Sequence, residues 1–376
     1  MKNRFKKFVG KSNRKVKVCL SLLLVTALVA GIFGPVKSSF ASVSTYTDAD
    51  TGITWYYEVD NGKAINVYTT DNITSLLMLT IPDSIEGNPV KSIGGGTSET
   101  IVAPGTYTSV KLPGALESIN ENAFKGVTSL KAVNMTGTAL ETVGNDAFNG
   151  CTSLANIKLE TVTSVGNNAF KGCTALTSTE LKECTLAGDG VFQNCTNMTK
   201  AVLPACKSLG DSAFEGCTNL EKYRISSYAT KVGNKAFKGC KNLKKAYIPD
   251  TVTNFGTEAF AGNTSLTDVQ LDADVNYANT FVDCKALKNV IFGENVTEVA
   301  GDAFSYTERT NTYTNQGAII NYYFLNPKTK IYQKEVNGTW EENNIVRNTS
   351  IPVKDKSLTY TAATSTLGTE TMSYAF

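Results

Sequence analysis

The chain has 376 residues, with 36 Lys and Arg, 34 Asp and Glu, and no histidine. The missing imidazole excludes Ser-His-Asp and Cys-His catalysis and histidine-based metal sites. Residues 1–41 hold nine of the 36 basic residues and no acidic one, so 27 basic and 34 acidic residues remain, a net charge of −7 that argues against general nucleic-acid binding.

Residues 1–41 read as a secretion signal: a basic stretch from Lys2 to Lys17, an apolar run from Val18 to Gly34, and Ser39-Phe40-Ala41 before a cut at Ser42. The alternative is an uncleaved anchor, since 17 apolar residues just span a bilayer. Gly31, Gly34 and Pro35 interrupt the run and favour cleavage, and Cys19 opens it rather than closing it, which argues against a lipoprotein cut.

Residues 42–76 are expected to form an N-terminal β cap. Ile53 to Val59 and Ala64 to Thr69 alternate apolar with polar residues across Asp60-Asn61-Gly62-Lys63, a hairpin pattern. Asp48-Ala49-Asp50-Thr51-Gly52 faintly matches a calcium loop but lacks the closing glutamate, so a turn is expected. Residues 77–122 carry degenerate copies of a repeat, with strand ends at Leu79-Thr80-Ile81-Pro82 and Val110-Lys111-Leu112-Pro113. The glycines 94–96 between them lack the Lys-Ser/Thr ending of a phosphate loop and read as a surface insertion.

The repeat is the organising feature. Phe recurs at 124, 148, 170, 192, 214, 237, 260, 281 and 304, in steps of 21 to 24 residues. A fixed period of this size marks a solenoid whose copies bury their apolar faces only against neighbours. Each copy reads as a short helical turn opened by an N-cap (Asn145, Asn167, Asp211, Asn234) and ended by a left-handed residue. That last residue is Gly126, Gly150, Gly172, Gly216, Gly239 or Gly262, with Asn194 and Asp283 as the tolerated substitutes. A strand follows, as in Leu154-x-x-Ile157-x-Leu159 and Leu266-x-x-Val269-x-Leu271, with alternate residues buried. Parallel stacking of nine such strands gives a sheet about 40 Å long, whose open face is the candidate binding surface.

The pattern Ala-Phe-x-Gly-Cys-x-x-Leu-x-x-Val-x-Leu-Pro, clearest from Val232 to Pro249, resembles the BspA-like leucine-rich repeat of bacterial surface proteins over roughly residues 77–304. The resemblance implies a secreted or surface-displayed protein, some of whose relatives bind host extracellular proteins or other bacteria. It implies no catalytic residue. The fold class is therefore an α/β repeat solenoid: a right-handed leucine-rich-repeat coil with a parallel sheet on one face, short helical turns on the other, and β-hairpin caps.

Six cysteines, 151, 173, 195, 217, 240 and 284, share one position three residues after the Phe; Cys184 and Cys206 share another. Secreted chains commonly bridge such residues. Because Val127 and Asn263 replace the cysteine in two copies, buried free thiols are favoured, although stacked positions would permit a bridge. No Cys-x-x-Cys pair exists to suggest structural zinc, so neither metal nor cofactor is expected.

From Lys222 to Lys245 there are eight basic residues and no acidic one. On the strand template Lys200, Lys222 and Lys245 stack at one open position, and Val202, Arg224 and Tyr247 at the next. Lys200, Lys222, Arg224, Lys245 and Tyr247 are the candidate ligand-binding residues, suited to an anionic glycan or an acidic protein surface. The plainer reading is a solvated face carrying lysine for solubility.

After Phe304 the repeat breaks. Residues 305–356 read as a C-terminal β cap or small β module, with strand-like runs around Asn326-Pro327-Lys328 and a turn at Asn337-Gly338. Residues 357–376, rich in Thr, Ser and Ala, are expected to be a mobile tail. No Leu-Pro-x-Thr-Gly sorting signal is visible. The sequence thus points to a monomeric, non-enzymatic protein, secreted or at the cell surface, that binds an extracellular protein or glycan, with no nucleic-acid partner and no membrane insertion of the mature chain. An accessory of a secreted polymer-degrading system and a passive envelope component are the alternatives.

Overall fold

The computed structural model describes residues 43–74, 76–94, 107–135, 137, 139–275, 279–293, 296 and 303, together with the backbone of strands at 321–325, 332–336 and 339–340. The expected signal 1–41, most of the 92–104 insertion, Phe304 and the tail 357–376 lie outside them.

The core is one file of rings. Phe124, Phe148, Phe170, Phe192, Phe214, Phe237, Phe260 and Phe281 stack in sequence order, with centroids 4.9–5.4 Å apart and planes within 6–18° of parallel. All eight are buried. Each coil therefore supplies one ring, and a ring is covered above and below by its neighbours, which is why no copy is stable alone. Tyr223 adds a tilted ring 5.0 Å from Phe214 and 4.8 Å from Phe237.

The Phe segment is not helical. No helix occurs among the described residues, so the fold is a β-solenoid of stacked coils and the helical turns expected from sequence are replaced by tight turns. The hydrogen bonds show why. Alternate backbone N–H groups point to the next coil: Phe148 N donates to Ala169 O at 2.7 Å and Gly150 N to Lys171 O at 2.8 Å. The groups between close three-residue turns, Asn149 N on Asp146 O and Cys151 N on Phe148 O, both at 3.0 Å. A helix would use these donors within its own segment; here half of them tie coils together. The left-handed exit is present as read, with φ of 71–77° at Gly126, Gly150, Gly172, Gly216, Gly239 and Gly262, and 61° and 60° at Asn194 and Asp283. A second left-handed residue precedes the ring-bearing pair in each coil, for instance Asp146, Asn168, Ser212, Lys235 and Glu258.

The caps serve neighbours too. Asn145 Oδ1 accepts from Asn167 N, Asn167 from Asp189 N, and Asp189 from Asp211 N, all at 2.8 Å; Asp211 and Asn234 accept likewise from Asn234 N and Thr257 N at 2.9 Å. The polar side chains expected to cap a helix within their own coil instead form a seam between coils. The glycine before each seam residue is required by this closeness. A Cβ built on Gly210 would lie 2.5 Å from Asp189 N and from Gly188 C, and on Gly166 2.6 Å from Asn145 N.

Most coils carry two strands where the sequence suggested one, but at residues 154–159 and 220–225 the expected strand is reduced to isolated bridges at Asn156 and Lys222. The expected strands, Met78–Thr80, Ser109–Lys111, Ala132–Asn134, Ser178–Glu180, Lys200–Val202, Lys245–Ile248, Asp268–Leu271 and Asn289–Phe292, pair in parallel but fall into separate sheets. The continuous sheet is built from two-residue strands: Ser92–Ile93, Ser118–Ile119, Thr142–Val143, Ser164–Val165, Leu186–Ala187, Ser208–Leu209, Lys231–Val232 and Asn254–Phe255. Their second residues are all buried.

At the start of the continuous sheet lie β1 (Ser44–Thr47), β2 (Thr54–Asp60) and β3 (Lys63–Thr69). They pair antiparallel in order, and Val67 of β3 pairs in parallel with Ile93. Trp55, Tyr57, Ala64 and Val67 face the core. The Asp48–Gly52 segment is a turn. Asp48 Oδ1 accepts from Thr51 N at 2.8 Å, Thr51 Oγ1 at 2.9 Å and Asp50 N at 3.0 Å. The bond from Thr51 N chiefly holds its carboxyl below the usual carboxylate range. At the other end the strand Asn289–Phe292 pairs in parallel with Asn321–Leu325, which continues antiparallel into Tyr332–Val336 and Thr339–Trp340.

All eight described cysteines are free and buried. The six in the main file donate to the Phe carbonyl of the preceding coil at 3.0–3.2 Å, Cys173 to Phe148 O for example. Burial pushes the Cys151, Cys217 and Cys284 thiols up to about 12, so they are poor nucleophiles. Asn263 takes the same slot between Cys240 and Cys284, and neither its Oδ1 nor its Nδ2 has a partner. Leaving buried polar atoms unpaired costs about 1–3 kcal/mol. Asn263→Cys restores a thiol able to donate to Phe237 O. It is expected to raise unfolding stability by about 1–3 kcal/mol in a denaturant titration; a loss of stability would contradict this.

Candidate functional site

The expected strand bearing Lys200 pairs with one strand and touches the next coil at a single bridge. Ser178 is its register partner on one side, and Lys222 forms an isolated parallel bridge with it on the other. Alternation turns Ala201 into the core and leaves Lys200 exposed and Val202 partly so. In the next coil Lys222 and Arg224 are exposed around the inward Tyr223. One coil on, Lys245 and Tyr247 are half-buried and flank buried Ala246. The five candidate residues thus lie on one face, on consecutive rungs.

Their surroundings include the expected cation-and-aromatic column and also acidic groups from a later coil. The Arg224 guanidinium carbon sits 5.5 Å from the centroid of the Tyr247 ring, a cation–π contact worth about 0.5–1 kcal/mol at an exposed site. Tyr247 has Gln270 as its register partner, and Gln270 Nε2 donates to both carboxylate oxygens of Asp272 at 3.3 Å. Tyr247 also donates its hydroxyl to Asp272. Partial burial, then the Asp272 carboxylate, pushes the phenol up to about 12, so it stays a neutral donor. Lys245 is in register with Asp268. Acidic residues therefore border the patch on its C-terminal side.

The remaining cations of the 222–245 run are elsewhere. Lys231 is on the continuous sheet between Ser208 and Asn254. Lys235 and Lys238 flank the Phe237 turn, where Lys238 pairs with Glu258 and holds that carboxyl low. A run of 24 residues is about one full coil, so its charges encircle the solenoid. Tyr228, 65% exposed, projects from the turn after Ile225; sequence reading passed over it, and its only signal is one extra residue between Ile225 and Gly233 compared with Leu203 to Gly210.

No helix among the described residues is long and apolar enough to cross a membrane. No curated protein matches the chain. Among solved structures, it is similar to a leucine rich cell surface protein from Faecalibacterium prausnitzii, at 20% identity and a TM-score of 0.43 over 77% of this chain and 97% of that one. It is also similar to a leucine-rich repeat protein from Bacteroides ovatus, at 24% identity and 0.48 over 66% and 74%. The pneumococcal vaccine antigen PcpA matches at 16% identity and 0.38 over 76% and 95%. The model for the BspA type leucine rich repeat region matches six copies, over residues 105–221 and 185–311. Those spans cover more than half of the sequence, and the chain belongs to the BspA-type leucine-rich-repeat family.

Proposed function

We propose that this chain is a secreted or cell-surface repeat protein that binds an extracellular protein or glycan through its strand face, as a monomer and without catalysis of its own. The observation that carries this reading is the set Lys200, Lys222 and Arg224, exposed on adjacent coils that meet at the Lys200–Lys222 bridge, with Arg224 positioned over Tyr247. Side chains on stacked coils are held at fixed spacing, so a ligand meets an ordered surface and little entropy is lost on binding. Family membership supports the reading, since repeat proteins of this kind present extended surfaces.

The full chain is expected to bind a matrix protein, a mucin or an acidic glycan with an affinity that falls as salt rises. Changing Lys222, Arg224 and Lys245 together to Glu is expected to weaken that binding by about tenfold or more, since like charge then faces an anionic ligand. Unchanged affinity in a titration of the triple variant would reject this patch.

A further inference from the structure

Some charged side chains on the strand face have a counter-charge. Lys182 pairs with Glu160 at 3.3 Å and Glu180 at 3.8 Å, and Lys245 is in register with Asp268. Lys111, Lys131 and Lys158 have none among the described residues, and neither do Lys200 and Lys222. Lys200 and Lys222 oppose one another across a parallel bridge, about 4.8 Å apart at the backbone. Like charges directly opposed on neighbouring strands destabilise a sheet. Here two cations face each other across the bridge with no ion pair of their own among the described residues.

The window they form is small. Glu180 stands in register with Val202 on the rung before, Glu221 precedes Lys222 on the same coil, and Asp268 and Asp272 border the rungs after. Three rungs span about 10 Å, and Lys222 to Arg224 along the chain is about 7 Å. A long polyanion running along the solenoid would meet carboxylates on both sides of this window. A protein partner would need a large apolar anchor at its centre, and the outward residues here are polar apart from Val202 and Tyr247. A single acidic sugar fits both restrictions. Its charge would sit between Lys200 and Lys222, with Arg224 supplying a planar fork already oriented by Tyr247. From the opposed lysines and their acidic border we infer that this strand face holds the anionic terminal sugar of a glycan, carboxylated or sulfated, through Lys200, Lys222 and Arg224. The inference rests on the strand-face reading above and narrows it to one ligand class.

The test is calorimetric titration of the full chain at low salt with four probes: a sialic-acid-terminated trisaccharide, its 6-sulfated counterpart, neutral lactose, and heparin. At least one acidic oligosaccharide is expected to bind and lactose is not, and heparin is expected to bind no more than about tenfold more tightly than the best short sugar. Lys200→Glu is then the decisive variant. Placing a carboxylate opposite Lys222 relieves the repulsion, so Tm is expected to rise by about 1–3 °C, while affinity for the acidic sugar falls by about tenfold or more. Lys131→Glu, exposed on an earlier coil, is expected to leave affinity unchanged. Equal binding of lactose, heparin binding far more tightly than either short acid, or a Lys200→Glu chain that keeps its affinity or loses stability would overturn the proposal. A chain that binds mucin or a matrix protein in a salt-dependent way but no short acidic sugar ends this inference and leaves the broader reading; a chain that binds none of them ends both.

Discussion

Phe192→Ala is expected to destabilise the fold by about 3–5 kcal/mol, the range for removing a fully buried aromatic ring. Phe192 is buried and lies 5.4 Å from Phe170 and 5.3 Å from Phe214, in near-parallel contact with both. Its removal leaves a cavity at mid-file and two ring faces without a neighbour. The surrounding coils have little freedom to collapse into that space, because backbone bonds on either side fix their separation: Phe170 N on Val191 O and Phe192 N on Ala213 O, each 2.8 Å. Guanidinium unfolding monitored by circular dichroism measures the loss. Phe192→Leu, which keeps most of the volume, is expected to cost less than half as much; equal costs for the two variants would mean that stacking and volume at this position are not what hold the coils together.

Gly210→Ala is expected to cost about 1–3 kcal/mol or more, as overpacking does in a well-packed interior. The reason is distance and not backbone conformation, since Gly210 is not among the left-handed glycines. A Cβ there meets Asp189 N and Gly188 C at 2.5 Å, both backbone atoms of the preceding coil, and no side-chain rotation relieves that contact. The adjoining seam bond, Asp211 N to Asp189 Oδ1 at 2.8 Å, would lengthen with it. By contrast Gly239→Asn at the left-handed exit is expected to be mild, because Asn194 already occupies the equivalent place at φ 61°. Thermal melts of the two variants side by side separate the two roles of glycine in the repeat; equal melting points would remove the distinction.

The sequence made the ring file and the left-handed exits readable because each leaves a mark at one fixed position. Phe is periodic, and only Gly, Asn and Asp occupy the exit. What stayed hidden was whatever depends on the neighbouring coil. Asn145-Asp146-Ala147-Phe148-Asn149-Gly150 carries both a capping residue and a terminal glycine, and so has the local signature of a short helix. Only the coil beyond it, with Ala169 O and Lys171 O in place to accept, makes the run of tight turns better. The continuous sheet was missed because its strands are two residues long, too short for an alternation to register; the recurring Val-Gly-Asn or Leu-Gly-Asp that follows was its trace, as at Val165-Gly166-Asn167 and Leu209-Gly210-Asp211. The candidate site was legible in part. Lys200, Lys222 and Arg224 do face outward together, but the counter-charges of Asp268 and Asp272 come from a later coil, and the basic run around Lys231 to Lys238 wraps onto other faces.

All of this depends on coils that advance by a constant step. Paired spin labels on the strand face measure that step directly, with cysteine introduced at Lys111, Arg224 and Gln270; the eight native thiols among the described residues are buried and poorly reactive. Arg224 lies five coils beyond Lys111 and Gln270 seven, so at about 4.8 Å per coil the backbone separations are expected to be about 24 Å and about 34 Å. Two narrow distributions differing by about 10 Å would support the stacked solenoid. Equal distances, or broad distributions unrelated to the number of intervening coils, would contradict it.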